Sequence, residues 1–291
     1  MKRHSLLIFS ACMCTLAAFI SCKSAPQSTD VKPLDLLDDA SAFYIKLPKK
    51  TDPVLVERIL RSGVEGLDES DAKIIASHID TIYTGIARSR RETTMQAAIS
   101  GSVPKKIVQS LLKKHADWNQ NEMKIEESGR KYFYYTSAVS DMQLAFPSNK
   151  IACVAKDVSP MLADFDSHSF AEDFSHRVSD AVYEWLGDAG SDIRFYAPNP
   201  LSFLTILTGA NLNLQLNYVC GSMITDAQHD DQYIMSIEFD FYNTKVVNTG
   251  KAMLALAFGL TNSQVTQNSP ANITVSGIKI RKQQLYKLFL L

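Results

Sequence analysis

Three absences bound this sequence before any motif is found. The first is an excess of either charge: the formal net charge is −1 over 291 residues, and a dedicated nucleic-acid binder would carry a basic excess. The second is cysteine. Of the five present, Cys12 and Cys14 lie in the first apolar stretch and Cys22 just after it, which leaves Cys153 and Cys220 for the folded part. One bridge at most is no disulfide framework. The third is a second long apolar run: nothing after Ile20 approaches the ~20 residues that a spanning helix needs. Catalytic signatures are missing too. The chain holds no Gly-x-Ser-x-Gly elbow, no His-Glu-x-x-His, no phosphate-cradling glycine loop and no Cys-x-x-Cys. No residue set identifies a reaction, so the expectation is a protein that binds without catalysing, with no cofactor and no nucleic acid.

What is present begins at the start of the chain. Met1-Lys2-Arg3-His4 is a short basic opening, and Leu6–Ile20 is the apolar run of a signal peptide. A plain secretory peptide would end in an A-x-A-like site, whereas this run ends Ala18-Phe19-Ile20-Ser21-Cys22. A small residue before a cysteine resembles a bacterial lipobox, in which the cysteine thiol receives a diacylglycerol and becomes the first mature residue. Phe19 departs from the leucine that most bacteria place there; spirochaetal lipoproteins tolerate bulky residues at that position. Cleavage before Cys22 leaves 291 − 21 = 270 residues, enough for a real core. Residues 22–38 then read as a tether, opening Lys23-Ser24-Ala25-Pro26, polar and without periodicity.

Periodicity in the remainder alternates short strands with helices. Leu212, Leu214, Leu216, Tyr218 and Cys220 point one way and Asn213, Gln215 and Asn217 the other, a half-buried strand. Tyr233–Tyr242 repeats this with Met235, Ile237, Phe239 and Phe241 inward and Ser236, Glu238 and Asp240 outward, which makes a hairpin. Around it lie strand Asp192–Tyr196, helix Pro200–Gly209, helix Thr244–Leu260 and strand Ile273–Ile280. The first half reads strand Ala42–Leu47, helices Asp52–Arg61 and Ser70–Ile79, hairpin Thr81–Arg88 with Thr93–Ser100, helix Pro104–Trp118 and strands Tyr132–Ser137 and Ile151–Lys156. Both halves run strand–helix–strand–strand–helix–strand, and both open on an aromatic strand ending in proline. The expected fold is therefore α+β: two similar βαββαβ halves in ferredoxin-like order, residues 39–166 and 167–291, forming a sheet packed with amphipathic helices. A bridging helix over Ser169–Leu186, with the stripe Phe170, Phe174, Val178 and Trp185, opens the second half.

Polar clusters are thin. His168, Glu172 and His176 share a helical face near Asp164 and Asp166, but histidines eight residues apart stand about 12 Å apart along the axis at ~1.5 Å rise per residue. One zinc ion does not easily reach both. The acidic loop Asp226–Asp231 lacks the spacing and closing glutamate of a calcium loop. Helix Pro104–Trp118 carries more meaning at a membrane. It sets Lys105, Lys106, Lys113 and Lys114 beside Ile107, Val108, Leu111 and Leu112, a basic amphipathic pattern suited to a lipid interface. Leu201–Leu207, Ala252–Leu260 and Leu285–Leu291 are apolar nearly all round and belong in a core or against lipid.

The lipobox, the size and the amphipathic helices together resemble the treponemal outer-membrane lipoproteins, of the concealed, membrane-inserting kind. That resemblance implies an α/β domain with a lipid-accommodating cavity, attachment to the periplasmic face of the outer membrane, helix insertion and altered permeability. Only Cys22 carries over as a functional residue. Lys105, Lys106, Ile107, Leu111, Leu112, Leu288 and Phe289 are the lipid-contact candidates by amphipathicity, and membrane lipid is the expected partner. Two other readings stay open: a protein-interaction module using the polar sheet face of Asn213, Gln215, Asn217, Ser236, Glu238 and Asp240, and a metal-dependent lipid hydrolase in which the His168–His176 region meets distant carboxylates. If the Cys22 thiol is the lipid acceptor, Cys22→Ala leaves the precursor uncut and abolishes labelling by radioactive palmitate; equal labelling of the variant overturns the anchor.

Overall fold

The computed structural model describes residues 31–63, 67–88, 93–102, 108–110, 112, 117–170, 177–188, 190–201, 203–204, 214–259 and 263–289. Cys22, Lys105, Lys106, Ile107 and Leu111 lie outside these. Twelve strands form one sheet: β1 (Phe43–Pro48), β2 (Ile79–Arg88), β3 (Thr93–Gly101), β4 (Trp118–Lys124), β5 (Lys131–Ser137), β6 (Gln143–Ala145), β7 (Ile151–Ala155), β8 (Ile193–Ala197), β9 (Leu216–Asp226), β10 (His229–Phe241), β11 (Gln264–Gln267) and β12 (Asn272–Arg281). Their spatial order is β11-β12-β10-β9-β8-β1-β2-β3-β7-β6-β5-β4. The helices are α1 (Pro53–Gly63), α2 (Glu69–Ser77), α3 (Ser159–Phe170), α4 (Asp180–Gly187), α5 (Thr244–Phe258) and α6 (Lys282–Phe289), with a 3-10 turn at Pro33–Leu36.

The two halves are visible in this order. From the central pair β1–β8, each lays its strands outward in sequence, β1-β2-β3-β7 on one side and β8-β9-β10-β12 on the other. The ferredoxin-like order is not what they form. That plan sets the third strand of a half between its first and second, whereas here β1 pairs directly with β2 and β8 directly with β9. The border drawn at residues 166 and 167 falls inside α3, a continuous helix. The bridging helix Ser169–Leu186 is likewise broken: Ser179 is extended (φ −60°, ψ 151°) and caps α4 by accepting from the Val182 amide. A Ser N-cap stops what the apolar stripe alone would have run through.

Strand alternation puts apolar side chains on both faces of the sheet centre. Phe43, Leu47, Ala97, Ile99, Phe195, Val219, Tyr233, Ile237 and Phe239 share one core with Leu55 and Val56 of α1, Val247 and Leu254 of α5 and Leu285 of α6. Tyr44, Ala98, Cys153, Tyr196 and Cys220 face the other way, under Met161 and Leu162 of α3 and Val182 and Leu186 of α4. Leu216 and Cys220 were expected on one face and lie on opposite ones. The register steps from Tyr218↔Asp240 to Leu216↔Phe241, so Asn217 is an extra residue, a bulge that reverses the alternation. Cys153 and Cys220 are both free and buried. Five strand spacings of ~4.8 Å separate β9 from β7, far beyond the reach of a bridge. Burial pushes the Cys220 thiol up to about 12, so neither reactivity nor pairing is favoured.

One glycine sets how closely α5 approaches β10. A Cβ on Gly250 of α5 would sit 2.3 Å from a ring carbon of Phe241, whereas one on Gly259 would meet nothing within 4 Å. Overpacking of this kind costs about 1–3 kcal/mol. Gly250→Ala should therefore lower the urea midpoint despite alanine's better helix propensity, while Gly259→Ala should be neutral or stabilise by up to ~1 kcal/mol. Equal midpoints for the two variants would show that α5 is not seated on Phe241.

Candidate membrane-facing surface

α5 begins with Asn243, whose side chain accepts from the Lys245 amide at 2.9 Å and satisfies a first-turn donor. Val247, Gly250, Leu254 and Phe258 follow at helical spacing and are buried against the sheet. The opposite side of its second half is Ala252, Met253, Ala255, Leu256 and Ala257, all exposed. Leu256 keeps 84% of its surface in contact with solvent and Met253 36%. No Asp, Glu, Lys, Arg or His occurs from Ala252 to Ile278. Core burial of Ala252–Leu260 was one of two expectations for this segment, and it holds for one side only. An exposed leucine alone is ordinary, but a solvent-facing helix surface with no polar residue over nearly two turns marks a contact site.

The sequence-derived candidates fare differently. Leu112 was expected to reach lipid and is instead buried at 3% exposure, clustered with Val108 and Tyr135 and flanked by Trp118 and Phe146. An amphipathic helix beside an apolar sheet face satisfies its stripe on that sheet first. Leu288 and Phe289 belong to the backbone of α6; their side chains lie outside the described residues. The start of α6 is docked through Leu285, which is 5% exposed. Nothing in a helical wheel of Thr244–Phe258 flagged its outer face beyond the all-round apolar pattern, because periodicity cannot say which of two apolar sides the sheet will take.

An anchor of charged and aromatic groups fixes α6. Asp52 is 2% exposed. Its Oδ1 accepts from the Leu55 amide at 3.0 Å, capping α1. Its Oδ2 accepts from the Tyr233 hydroxyl and stands 3.9 Å from Lys282 Nζ at the start of α6. That ammonium also sits 5.4 Å from the centre of the Tyr233 ring. One carboxylate thus ties α1, β10 and α6 together.

The polar groups weighed for metal chemistry are spent on structure. Asp166 Oδ1 accepts from the Tyr132 hydroxyl at 2.7 Å and Arg130 at 3.1 Å. Burial works against its charge, yet hydrogen bonds from Ser128, Tyr132 and Arg130 hold its carboxyl below the usual range. Asp164 pairs with Arg177, while burial raises its carboxyl above the usual range. Asp226 accepts from the Gln228 amide at 2.9 Å and lies 3.2 Å from His229 Nδ1, closing the β9–β10 turn. His168 is buried, and Glu172 and His176 lie outside the described residues. Among the described residues no three His, Cys, Asp or Glu side chains gather closely enough to hold an ion, and no helix is long and apolar enough to cross a membrane. On the polar sheet face, Glu238 accepts from Asn272 at 2.7 Å and Tyr218 at 3.3 Å, and Asp240 from Asn217 at 2.8 Å.

Comparison with known proteins places these features. The family model described as outer membrane-associated lipoprotein TP0453, from Treponema, matches residues 28–286. No curated protein sequence matches. Crystal forms I and III of TP0453 are similar in structure, with TM-scores of 0.67 and 0.64 at 17% identity, covering 90% of this chain and 98% of theirs. At that identity the likeness is one of fold.

If Asp52 fastens α6, Asp52→Ala should cost about 2–4 kcal/mol through the lost cap and the unpaired Tyr233 hydroxyl. Amide exchange should quicken in α1 and α6 together, and Asp52→Asn, which keeps the side-chain shape and one of the two acceptor oxygens, should lose less. Unchanged exchange in α6 would show that its docking is apolar alone.

Proposed function

Since this chain belongs to the outer membrane-associated lipoprotein family TP0453, we propose that it is tethered by lipid on Cys22 to the periplasmic face of the outer membrane and rests on that bilayer through the bare side of α5. Its work on this reading is binding and inserting into lipid, with a change in membrane permeability as the outcome, and not turnover. The observation that carries the reading is the exposure of Leu256 and Met253 on a helix side without a polar residue. The tether expected over residues 22–38 is shorter than its composition implies, because Val31, Leu34, Leu36 and Leu37 are buried in the core; residues 22–30 would still keep the domain within reach of the surface, so even a shallow apolar contact is repeatedly offered to lipid. Full burial of a leucine is worth roughly 1.5–3 kcal/mol. Lys105, Lys106, Ile107, Leu111, Leu288 and Phe289 remain candidates for adding cations and further apolar contacts, with ~1 kcal/mol per lysine near an anionic surface.

A second reading has its own support. Glu238 and Asp240 on the polar face of β10 accept hydrogen bonds from neutral groups only, and among the described residues neither meets a cation. A basic protein segment would fit there.

Vesicle binding separates the two. Protein beginning at Val31, without lipid, should bind anionic vesicles, and salt should weaken this only in part because apolar burial is not screened. Leu256→Ser with Met253→Ser should cut the salt-resistant part by roughly tenfold or more, with melting unchanged because both side chains are exposed. Wild-type protein that ignores anionic vesicles at low salt would end the lipid reading and favour the polar face.

A further inference from the structure

A cleft of about 750 Å³ opens where residues 198–201, the entry to β9 and the entry to α5 converge. Its size is within the ~300–1,000 Å³ usual for small-ligand sites. The chemistry of its wall is narrow. Asn199, Gln215, Asn217 and Asn243 bring four side-chain amides to it, and Tyr242 and Leu201 bring exposed apolar surface, 74% and 45% open to solvent. No charged residue lines it among the described residues. This neutrality is a property of the sequence as well: from Phe195 to Thr225 there is no Asp, Glu, Lys, Arg or His.

The amides retain capacity. Asn217 donates to Asp240 through Nδ2, which leaves its carbonyl. Asn243 uses its carbonyl to cap α5, which leaves its two N–H donors. Asn199 and Gln215 make no side-chain hydrogen bond among the described residues and are exposed. Their backbones, by contrast, are fixed: Asn199 N–H donates to Ala42 at 3.2 Å, and Gln215 accepts from the Tyr242 amide at 3.0 Å. The wall is thus a rigid frame carrying uncommitted amide donors and acceptors beside a tyrosine ring.

We infer that this cleft binds a neutral oligosaccharide, with the amides paired to sugar hydroxyls and the Tyr242 ring stacked on the apolar face of a pyranose. Sugars present adjacent hydroxyls that both donate and accept, which an amide matches and a single charge does not, and C–H faces that suit an aromatic ring. An acyl chain would leave the amides of Asn199 and Gln215 without partners and those of Asn217 and Asn243 half-satisfied, at a desolvation cost for each. A charged headgroup would find no counter-ion. The inference is independent of how α5 meets lipid.

The test uses the full chain, processed and held in a zwitterionic detergent without sugar headgroups, titrated calorimetrically with chitotetraose and with maltotetraose. At least one should bind saturably; preference for the first assigns the ligand to acetamido sugars and preference for the second to plain glucans. Tyr242→Ala should weaken that binding by roughly tenfold, as should Asn199→Ala with Gln215→Ala, while Tyr242→Trp should stay within about threefold of the parent. Because Tyr242 is mostly exposed, its removal should leave the melting temperature unchanged. Three results overturn the inference: no binding of either sugar at roughly 10 mM, binding indifferent to Tyr242→Ala, or oleate occupying the cleft in a Tyr242-dependent way.

Discussion

The antiparallel join of β1 to β8 is the constraint on which the rest of the structure depends. It pairs Tyr44 with Tyr196, Ile45 with Phe195 and Lys46 with Arg194, and it is the seam between the two halves of the chain. On one face Phe195 stacks on Phe203 at 4.9 Å while Phe43 meets that ring edge-on at 5.9 Å. On the other, Tyr196 stacks on Tyr218 at 5.2 Å. A seam covered on both sides buries whatever it carries, and it carries two adjacent cations. Lys46 donates to the Asp188 and Gly190 carbonyls, and Arg194 donates to the Trp185 carbonyl and pairs with Asp188 at 2.7 Å. Burial, and then the neighbouring Arg194, push the Lys46 amine below its ordinary range. The carbonyls at the end of α4 are what make the pair tolerable, since a helix C-terminus favours positive charge. The strand seam and the placing of α4 are one arrangement.

Away from the seam the covering thins, and this is where the surfaces with candidate roles appear. α5 lies against β10, β11 and β12, so one of its sides is used and the other is exposed among the described residues. The cleft at the entries to β9 and α5 arises at the same end, where the bulge at Asn217 bends the strand and changes which residues face out. Apolar helix surface and amide-lined cleft are thus neighbours in sequence, separated by the charged half-turn at Lys245. A lipoprotein with both would hold a bilayer with one and a soluble polymer with the other.

How much was legible in the sequence follows from the range of the interactions involved. The expectation of a lipoprotein rests on local chemistry around Cys22 and agrees with the family, although Cys22 itself lies outside the described residues. Most elements were readable, because a stripe at helical or strand period is written in neighbouring residues: Phe43–Pro48, Pro53–Gly63 and Thr244–Phe258 lie where periodicity puts them, and His229–Phe241 only begins four residues earlier than its alternation suggests. β4 and β11 were missed. Trp118-Asn119-Gln120-Asn121 and Gln264–Gln267 are polar edge strands that exist because a neighbour offers a ladder, not because of their own pattern.

What the sequence by itself determined is the outer membrane-associated lipoprotein family and most of the element types, since each rests on residues close together in the chain. Tertiary structure alone decided which way the strands run, which face each alternating set occupies and which apolar side is left bare. Those choices depend on partners far away in sequence: β1 takes β8 as its neighbour, one extra residue at Asn217 swaps Leu216 and Cys220 between faces, and the sheet claims Leu112 while leaving Leu256 in solvent. A helical wheel gives Leu112 and Leu256 the same standing. Only the shape of the surface each helix lands on tells them apart.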